Sequence, residues 1–436
     1  MRDKNAIVSL TMENGKIFLV VKLSMIGYLT GLLAFFLWVG RPFYFSGVGM
    51  QITHSMTLLL ILVFALNKLM SNNLELCRLP SPILIHVIWL FASIVLILTA
   101  GFLSMSNAVN IVEALKFQVS YLMGLAILLV FLGASFSYDW IRFLLRVTVT
   151  GAVLSVIFAF AGFLFAPLGE VTLNQFNRAQ GFLLHPNQFG MMLAALFPAA
   201  CAHLSLDFRK IKQWIVTLLL AGGLVISGSK TNLLIAGVLG PATLLIMNTF
   251  KHKYSQRMWS LLGTLIAVSC IGAAAFFLLL ELVPETFRNL QLVLANPEEY
   301  RTLIIRQEIW HEALTLVKGY PNFGIGAGNT ETHLGINHAH NVFIEYYLTL
   351  GRFGLFAFTS FLESILFLSY YVLKTSRKLS LDQQATAVGL VFGILSYIFS
   401  NQLSDSFGGT TLPLLWVLLG LLMAQGTQLF MKSSLD

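Results

Sequence analysis

The sequence has few charged residues. Asp, Glu, Lys and Arg make up 11% of the 436 residues, whereas 57% are hydrophobic. Soluble domains carry about 25% charged residues, so the composition excludes an ordinary soluble protein. Apolar runs close to the length of a membrane-spanning helix recur along the whole chain. Strands of a membrane barrel would be shorter and would alternate in polarity. The predicted fold class is therefore an all-α polytopic membrane protein.

Cysteine is also scarce. The three cysteines, Cys77, Cys201 and Cys270, show no spacing typical of a metal site or a disulfide framework, so free thiols are expected. The sequence has no Asp-x-Asp motif, and its external acidic residues do not pair into an obvious site for a divalent ion. We therefore predict neither a metal nor another cofactor. The net charge of +8 is spread over short loops, which fits membrane topology rather than nucleic-acid binding.

The apolar runs predict about twelve transmembrane helices, all within a single integral membrane domain that covers residues 1–436. The expected spans are roughly 22–39, 53–69, 82–103, 111–132, 141–166, 188–205, 212–227, 231–249, 258–283, 340–372, 385–403 and 410–431.

The distribution of Lys and Arg gives the orientation. Of the 27 cations, all but nine fall in loops on one side of these spans, which the positive-inside rule makes cytoplasmic. Both termini are then cytoplasmic, and the longest loop, residues 284–339, is external. Among the nine exceptions, Lys116 lies inside a span. The other eight lie on or near the outer face: Arg41, Arg178, Lys230, Arg288, Arg301, Arg306, Lys318 and Arg352.

The external loop contains an amphipathic pattern at residues 300–318, for which we expect a helix on the membrane surface. Its apolar positions are Leu303, Ile304, Trp310, Leu314 and Val317. A glycine run follows at Gly324, Gly326 and Gly328. Such a run can cradle an anion with its backbone N–H groups, or it can be a plain turn into the next span.

Three outer-face cations could bind an anionic ligand. Arg178 lies in "NRAQGFLLHPNQFG", Lys230 in "SGSKTNLL", and Arg306 on the amphipathic helix. If they converged, they would suit a diphosphate, because Arg binds phosphate oxygens bidentately and Lys acts as a point charge. Each could instead anchor lipid headgroups. Lys116 follows Glu113 by three residues, which predicts a local ion pair.

The stretch "HAHNVFIEYYLTLGRFG", residues 338–354, carries the resemblance to a known family. His340-Asn341, nine residues, then Gly351-Arg352-Phe353-Gly354 fits the H-[NSQ]-x9-G-x-x-G signature of the O-antigen ligase and polymerase superfamily, which also includes protein O-oligosaccharyltransferases. "RAQGFLLHPNQFG" is similar to the family's R-x-x-G-x-x-x-x-P-N segment, and "SGSKTNLL" to S-x-S-R-T-x-L-L, with Lys230 in place of Arg. "RQEIWHEALTLVKGYPNFGIGAG" resembles R-x-x-x-W…P-x-x-G-x-G. The region with these motifs spans residues 177–354.

The resemblance implies a GT-C-like fold and transfer of a glycan from an undecaprenyl-diphosphate carrier to an acceptor hydroxyl, on the periplasmic face of the bacterial inner membrane. His340 would be the base that activates the acceptor, and Arg178, Arg306 and Lys230 would hold the diphosphate. Neutral imidazole is available near neutral pH, and positive charge stabilises a leaving diphosphate.

Further site residues are expected around these. Asn341, Asn187 and Arg301 are candidates for substrate binding. His338 is the competing base; because the two histidines are two positions apart, we expect their rings not to share one helical face, so that one ring points into the site. The pair could also be a polar helix cap, and Glu345 and Tyr346 could line the site or belong to the interface belt.

The favoured function is an O-antigen ligase with lipid A–core as acceptor, in lipopolysaccharide biosynthesis. The alternatives are a polymerase that joins lipid-linked repeat units, and, in another class, a flippase of lipid-linked sugars. Membrane lipids and a chain-length regulator are further candidate partners. A purely structural scaffold would explain none of the four motifs.

Overall fold

The computed structural model describes most of the chain. The described residues are 8–13, 16–21, 23–38, 52–70, 81–134, 136–174, 178–183, 185–251, single positions between 263 and 295, 301–403 and 411–433. The ninth predicted span, 258–283, and the start of the external loop, 284–300, lie almost entirely outside them.

The regular secondary structure of the described residues is helical apart from one N-terminal hairpin, in which β1 (Val8–Glu13) pairs antiparallel with β2 (Lys16–Val21). The helices are α1 (Leu23–Phe36), α2 (Ile52–Met70), α3 (Ser81–Ser104), α4 (Ile111–Ala134), α5 (Tyr138–Leu164), α6 (Ala166–Thr172), α7 (Pro186–Leu206), α8 (Ile211–Ile226), α9 (Lys230–Lys251), α10 (Arg301–Leu316), α11 (Thr330–Leu334), α12 (Val342–Ser376), α13 (Leu381–Leu403) and α14 (Leu412–Ser433). The all-α prediction omitted the hairpin.

Seven of the described helices are long and apolar enough to cross a membrane: α3, α4, α5, α7, α9, α12 and α13. Four shorter apolar helices, α1, α2, α8 and α14, coincide with other predicted spans. The polytopic membrane architecture is therefore confirmed, while the total of twelve spans stays a prediction. The predicted Lys116–Glu113 pair is present at the start of α4, with 2.6 Å between Nζ and Oε1.

Helices α7 and α13 form the centre of the bundle. Within their apolar windows, 89% and 83% of the residues are buried, against 33% to 50% for the other five long helices. Small residues allow the two backbones to approach closely: Gly389 packs on Ala199, and a Cβ at Gly393 would overlap the carbonyl oxygen of Ala195. Small side chains at a spacing of four are the usual way in which membrane helices come into close contact.

Helix α12 is broken near its start. Gly351 has φ 68° and ψ −163°, outside the helical region, although helical hydrogen bonding continues on both sides. Residues 352–376 alone are about 37 Å long, enough to cross a bilayer. The excess length of the predicted tenth span is thus explained by a separate first segment, residues 342–350.

Candidate active site

The sequence motifs lie at one end of the helix bundle. Helix α13 runs antiparallel to α7, since Gly389 approaches Ala199 and Asn401 contacts Met191. The short link at 377–380 then reverses the chain between α12 and α13, which pack together. Helices α7 and α12 therefore begin at the same end. This end is called the motif end below.

Arg178 is held at the turn between α8 and α9. Its Nε donates to the carbonyl oxygen of Ser227 at 3.0 Å, and its Nη2 donates to Oδ1 of Asn187 at 2.9 Å. The neighbouring backbone is attached as well, because the Ala179 N–H donates to the carbonyl oxygen of Ile226 at 2.8 Å. A guanidinium has five N–H donors, so an arginine can donate to protein acceptors and bind an anion at the same time.

Asn187 orients Arg178 and links two motifs. Its side-chain oxygen accepts from Arg178, while its carbonyl oxygen accepts from Nδ2 of Asn232 at 2.9 Å. Asn232 is buried and also donates to Oγ of Ser229 at 2.8 Å. The segments around residues 178–187 and 227–232 therefore form one hydrogen-bonded unit. No sequence motif indicated the role of Asn232.

Lys230 is the first residue of α9 and follows the turn that Arg178 contacts. The first N–H groups of a helix have no partner within the helix, and the helix N-terminus carries partial positive charge. Two cationic residues and a helix N-terminus thus lie at one turn. Such an arrangement is suited to bind phosphate oxygens.

His338 and His340 are in contact, in the non-helical link before α12. Their ring centroids are 4.4 Å apart and their planes are inclined by 71°, an edge-to-face contact. His340 has φ 53°, in the left-handed region that residues other than glycine rarely adopt. The argument from helical faces does not apply here, because this link is not helical, and which of the two rings points into the site stays a prediction.

The residue between the two histidines is fixed at both of its polar groups. The Ala339 N–H donates to Oε2 of Glu345 at 2.7 Å, and its carbonyl oxygen accepts from Nε1 of Trp310 at 2.8 Å. The second carboxylate oxygen of Glu345 accepts from the Thr330 hydroxyl at 2.5 Å. Ala339 and Glu345 are buried. The histidine link is therefore clamped between α10, α11 and α12.

The predicted external helix is present as α10, but a different face of it packs inward. The inward positions are Arg306, Trp310, Ala313 and Val317, which recur at helical spacing. Of the predicted apolar positions whose side chains are described, Trp310 and Val317 lie on this face, whereas Ile304 and Leu314 are exposed.

Arg306 shares that inward face with Trp310, one turn away along the helix, where side chains are neighbours. Because the Trp310 indole holds the histidine link, Arg306 lies on the histidine side of the motif end. Arg178 and Lys230 lie together at the turn between α8 and α9. Convergence of all three cations on one ligand stays a prediction.

The glycine run is a docking loop. Its backbone N–H groups at Ile325 and Gly326 donate to the carbonyl oxygens of Leu348 and Thr349, at 2.9 and 3.1 Å. A Cβ at Gly324 would overlap the backbone of Thr349 and Leu350 in α12. Protein acceptors thus occupy these N–H groups, so the plain-turn interpretation holds better than an anion cradle.

The same loop packs against the break in α12. The Arg352 N–H donates to the carbonyl oxygen of Pro321 at 2.9 Å, and a Cβ at Gly351 would overlap the backbone of Asn322. Gly324 and Gly351 both have positive φ. The glycines of two separate sequence motifs therefore form one backbone-to-backbone contact.

Asn341 caps α12, since its Oδ1 accepts from the N–H groups of Phe343 and Ile344 at 3.0 and 3.2 Å. The cap that the sequence offered as an alternative is thus present, next to the histidine pair. Arg301 begins α10, but its side chain lies outside the described part of the structure. Roles of Asn341 and Arg301 in substrate binding stay predictions.

The loop and α11 are tied to the link between α3 and α4. Nδ2 of Asn107 donates to the carbonyl oxygen of Gly324 at 2.8 Å, and the Asn110 N–H donates to Oδ1 of Asn329 at 2.6 Å. No motif marked these asparagines. Among the described residues, no group of three His, Cys, Asp or Glu side chains could hold a metal ion.

The bundle is thus a polytopic membrane protein with clustered cations and a histidine pair at one end. A family model described as O-antigen ligase matches residues 215–359, about a third of the chain. The match confirms the O-antigen ligase-related resemblance and supports a membrane enzyme that transfers lipid-linked glycans in polysaccharide biosynthesis. The matched residues include Lys230, Arg306 and both histidines; Arg178 and Asn187 precede them. No curated protein matches the sequence.

Proposed function

We propose that the protein is a GT-C-like glycosyltransferase of the bacterial inner membrane, with its active site facing the periplasm and both termini in the cytoplasm. It transfers a glycan from undecaprenyl diphosphate to an acceptor hydroxyl, and we assign it as an O-antigen ligase that uses lipid A–core. The observation that carries the proposal is the clamped histidine pair in the family-matched segment, at the same end of the bundle as the Arg178–Lys230 turn.

His340 acts as the general base. The acceptor hydroxyl attacks the anomeric carbon of the glycan, its proton passes to the His340 imidazole, and the bond from that carbon to the diphosphate oxygen breaks. His338 contacts the His340 ring and is the second candidate for this proton. A neutral imidazole is suited to this step because it titrates near the working pH.

The cations of the motif end stabilise the leaving undecaprenyl diphosphate. Arg178 is pre-oriented by Ser227 and Asn187, so it loses little freedom when it binds a phosphate oxygen. Lys230 and the N-terminus of α9 supply positive charge at the same turn, and Arg306 supplies it next to the histidines. Side-chain cations do the work that a metal ion would otherwise do, and the mechanism needs no metal.

Substrate contacts are assigned to the polar residues beside these groups. Asn187 acts through Arg178, while Asn341 and Arg301 lie at the starts of α12 and α10, where a sugar that reaches His340 would pass. Ligase activity is favoured over polymerase activity because the motif set most resembles the general ligase domain, and the matching family model has the same description.

The test is glycan transfer in membrane vesicles from an undecaprenyl-diphosphate-linked glycan, with lipid A–core or a second lipid-linked glycan as the acceptor. His340→Ala is expected to abolish product while the protein is still produced and still binds donor. His311, exposed on α10, provides the matched control, and His311→Ala should keep wild-type activity.

Full activity in both His340→Ala and His338→Ala would contradict the histidine mechanism. Activity lost only in His338→Ala would move the base to that residue. Product formed only on a lipid-linked acceptor would replace the ligase with a polymerase.

A further inference from the structure

We propose that Glu345 is a positioning residue for the histidine pair, and that its negative charge makes the base more readily protonated during transfer. This inference rests on the proposed function. According to this inference, a buried carboxylate on α12 determines both the geometry of the link 338–340 and the electrostatic environment of its two imidazoles.

The first argument is the geometry of the carboxylate. Glu345 has 8% of its surface exposed, and each oxygen accepts a hydrogen bond from a different element: Oε2 from the Ala339 N–H and Oε1 from the Thr330 hydroxyl. Burial raises the pKa of the Glu345 carboxyl, while the hydrogen bonds from Thr330 and Ala339 and the charge of a protonated His338 lower it and so favour the ionised form. A buried charge is expensive unless it has such partners.

The second argument is the position of the histidines relative to that charge. His338 interacts electrostatically with Glu345, and the His338 ring contacts the His340 ring at 4.4 Å. The order along the site is therefore carboxylate, first imidazole, second imidazole. When His340 takes the acceptor's proton, the resulting positive charge lies next to His338, the imidazole that interacts electrostatically with the buried carboxylate.

The third argument is that the clamp has two sides. The Ala339 N–H is held by Glu345, and the Ala339 carbonyl oxygen by Trp310. These two bonds hold the two peptide units that flank Ala339, so they restrain the backbone that leads into the left-handed turn at His340. Strained backbone of this kind persists only where its surroundings impose it.

Charge and geometry can be separated experimentally with Glu345→Gln. The amide oxygen still accepts from the Ala339 N–H, and the amide NH₂ can donate to the Thr330 hydroxyl, so the clamp remains while the charge is lost. Glu363 lies on the exposed side of the same helix, and Glu363→Gln is the matched control.

The readout is the pH dependence of glycan transfer. A neighbouring carboxylate raises the pKa of an imidazole, so loss of the charge should move the acid limb of the pH–rate profile to lower pH. Other titratable or charged side chains on the elements around Glu345 include Arg306, Tyr121, His333, His338, His340 and Tyr346. Because these stay in place in Glu345→Gln, a moved limb reports the carboxylate alone.

We expect Glu345→Gln to lower kcat about tenfold or more, with the KM for the donor within about twofold and the melting temperature in detergent unchanged. The acid limb should move down by about half a pH unit or more. Glu363→Gln should match the wild type in all four quantities.

Wild-type kcat and an unmoved limb in Glu345→Gln would overturn the inference, and so would a lower kcat with an unmoved limb, which indicates a structural role only. If Glu345→Gln does not fold, Glu345→Asp decides, since the charge remains and the limb must stay at the wild-type pH; a limb that moves overturns the inference. Wild-type protein that forms no product at all would instead contradict the proposed function, and the inference with it.

Discussion

At the motif end of the bundle, side chains hold loop backbone: Trp310 binds the carbonyl oxygen of Ala339, and Arg178 binds that of Ser227. At the opposite end, the described links between helices are short, and one carboxylate binds side chains of a neighbouring helix. There Asp382 accepts from the Arg142 guanidinium and from the Tyr138 hydroxyl, each at 2.9 Å. The difference indicates where precision is needed, because among the described residues the long loop whose shape must be imposed lies at the motif end.

The largest effect is expected at the broken helix of the motif end. Gly351→Ala places a Cβ at φ 68° and against the backbone of Asn322, which should destabilise the protein by about 3 kcal/mol or more. Thermal unfolding in detergent measures the loss. Gly237 on α9 is the control, because a Cβ there meets no atom within 4 Å. Gly237→Ala should be neutral or slightly stabilising, and equal losses in both variants would contradict the docking contact.

The second effect compares the two arginine sites. Arg178→Lys keeps the charge but cannot make both bonds to Ser227 and Asn187, so transfer should fall about 10- to 100-fold, as expected for bonds to a charged donor. Arg142→Lys at the opposite end should leave the initial rate of transfer unchanged. Equal rates in the two variants would remove the distinction between the ends.

The third effect compares two tryptophans that make the same kind of hydrogen bond. Trp310 donates from Nε1 to a carbonyl oxygen at the motif end, and Trp214 does so to Phe208 at the opposite end, each at 2.8 Å. Trp310→Phe should lower kcat about fivefold, as expected for one hydrogen bond of about 1 kcal/mol, while Trp214→Phe should not. A drop in both, or in Trp214→Phe alone, would show that the bond affects activity only through general stability.

The smallest effect is expected for Lys116. Its pair with Glu113 is solvent-exposed, with 54% of the Lys116 side chain accessible, and exposed pairs contribute less than about 1 kcal/mol. Lys116→Gln should therefore keep both wild-type stability and transfer. Unchanged transfer combined with lost movement of lipid-linked sugar across the membrane would support the flippase alternative, since Lys116 is the cation predicted to lie inside a span.

Much of the architecture followed from composition and hydropathy, because a bilayer demands long apolar helices. Eleven predicted spans coincide with described helices. The clustering of the Arg178 and Lys230 motifs at one end also followed from the order of spans. The prediction from helical periodicity was wrong about which face of α10 packs inward. It did not apply to the histidines, because the link that carries them is not helical.

The contacts that shape the site could not be predicted. Asn232, Thr330 and Asn107 act through bonds to residues far away in the sequence or to backbone groups, and neither leaves a local pattern. From the sequence, Glu345 was recognisable only as an acidic residue close to the histidines in the chain. Its burial and its two donors arise from the approach of α11 and the histidine link, which depends on the docked loop.

The contact between Gly324 and Gly351 bears on how related sequences are recognised. These glycines belong to the P-x-x-G-x-G and G-x-x-G motifs, which read as independent signatures 27 positions apart. In three dimensions they are the two halves of one interface, and neither half fits a side chain. A chain that keeps one glycine and replaces the other should therefore be treated as a false match, or as a member whose loop and helix meet in another way.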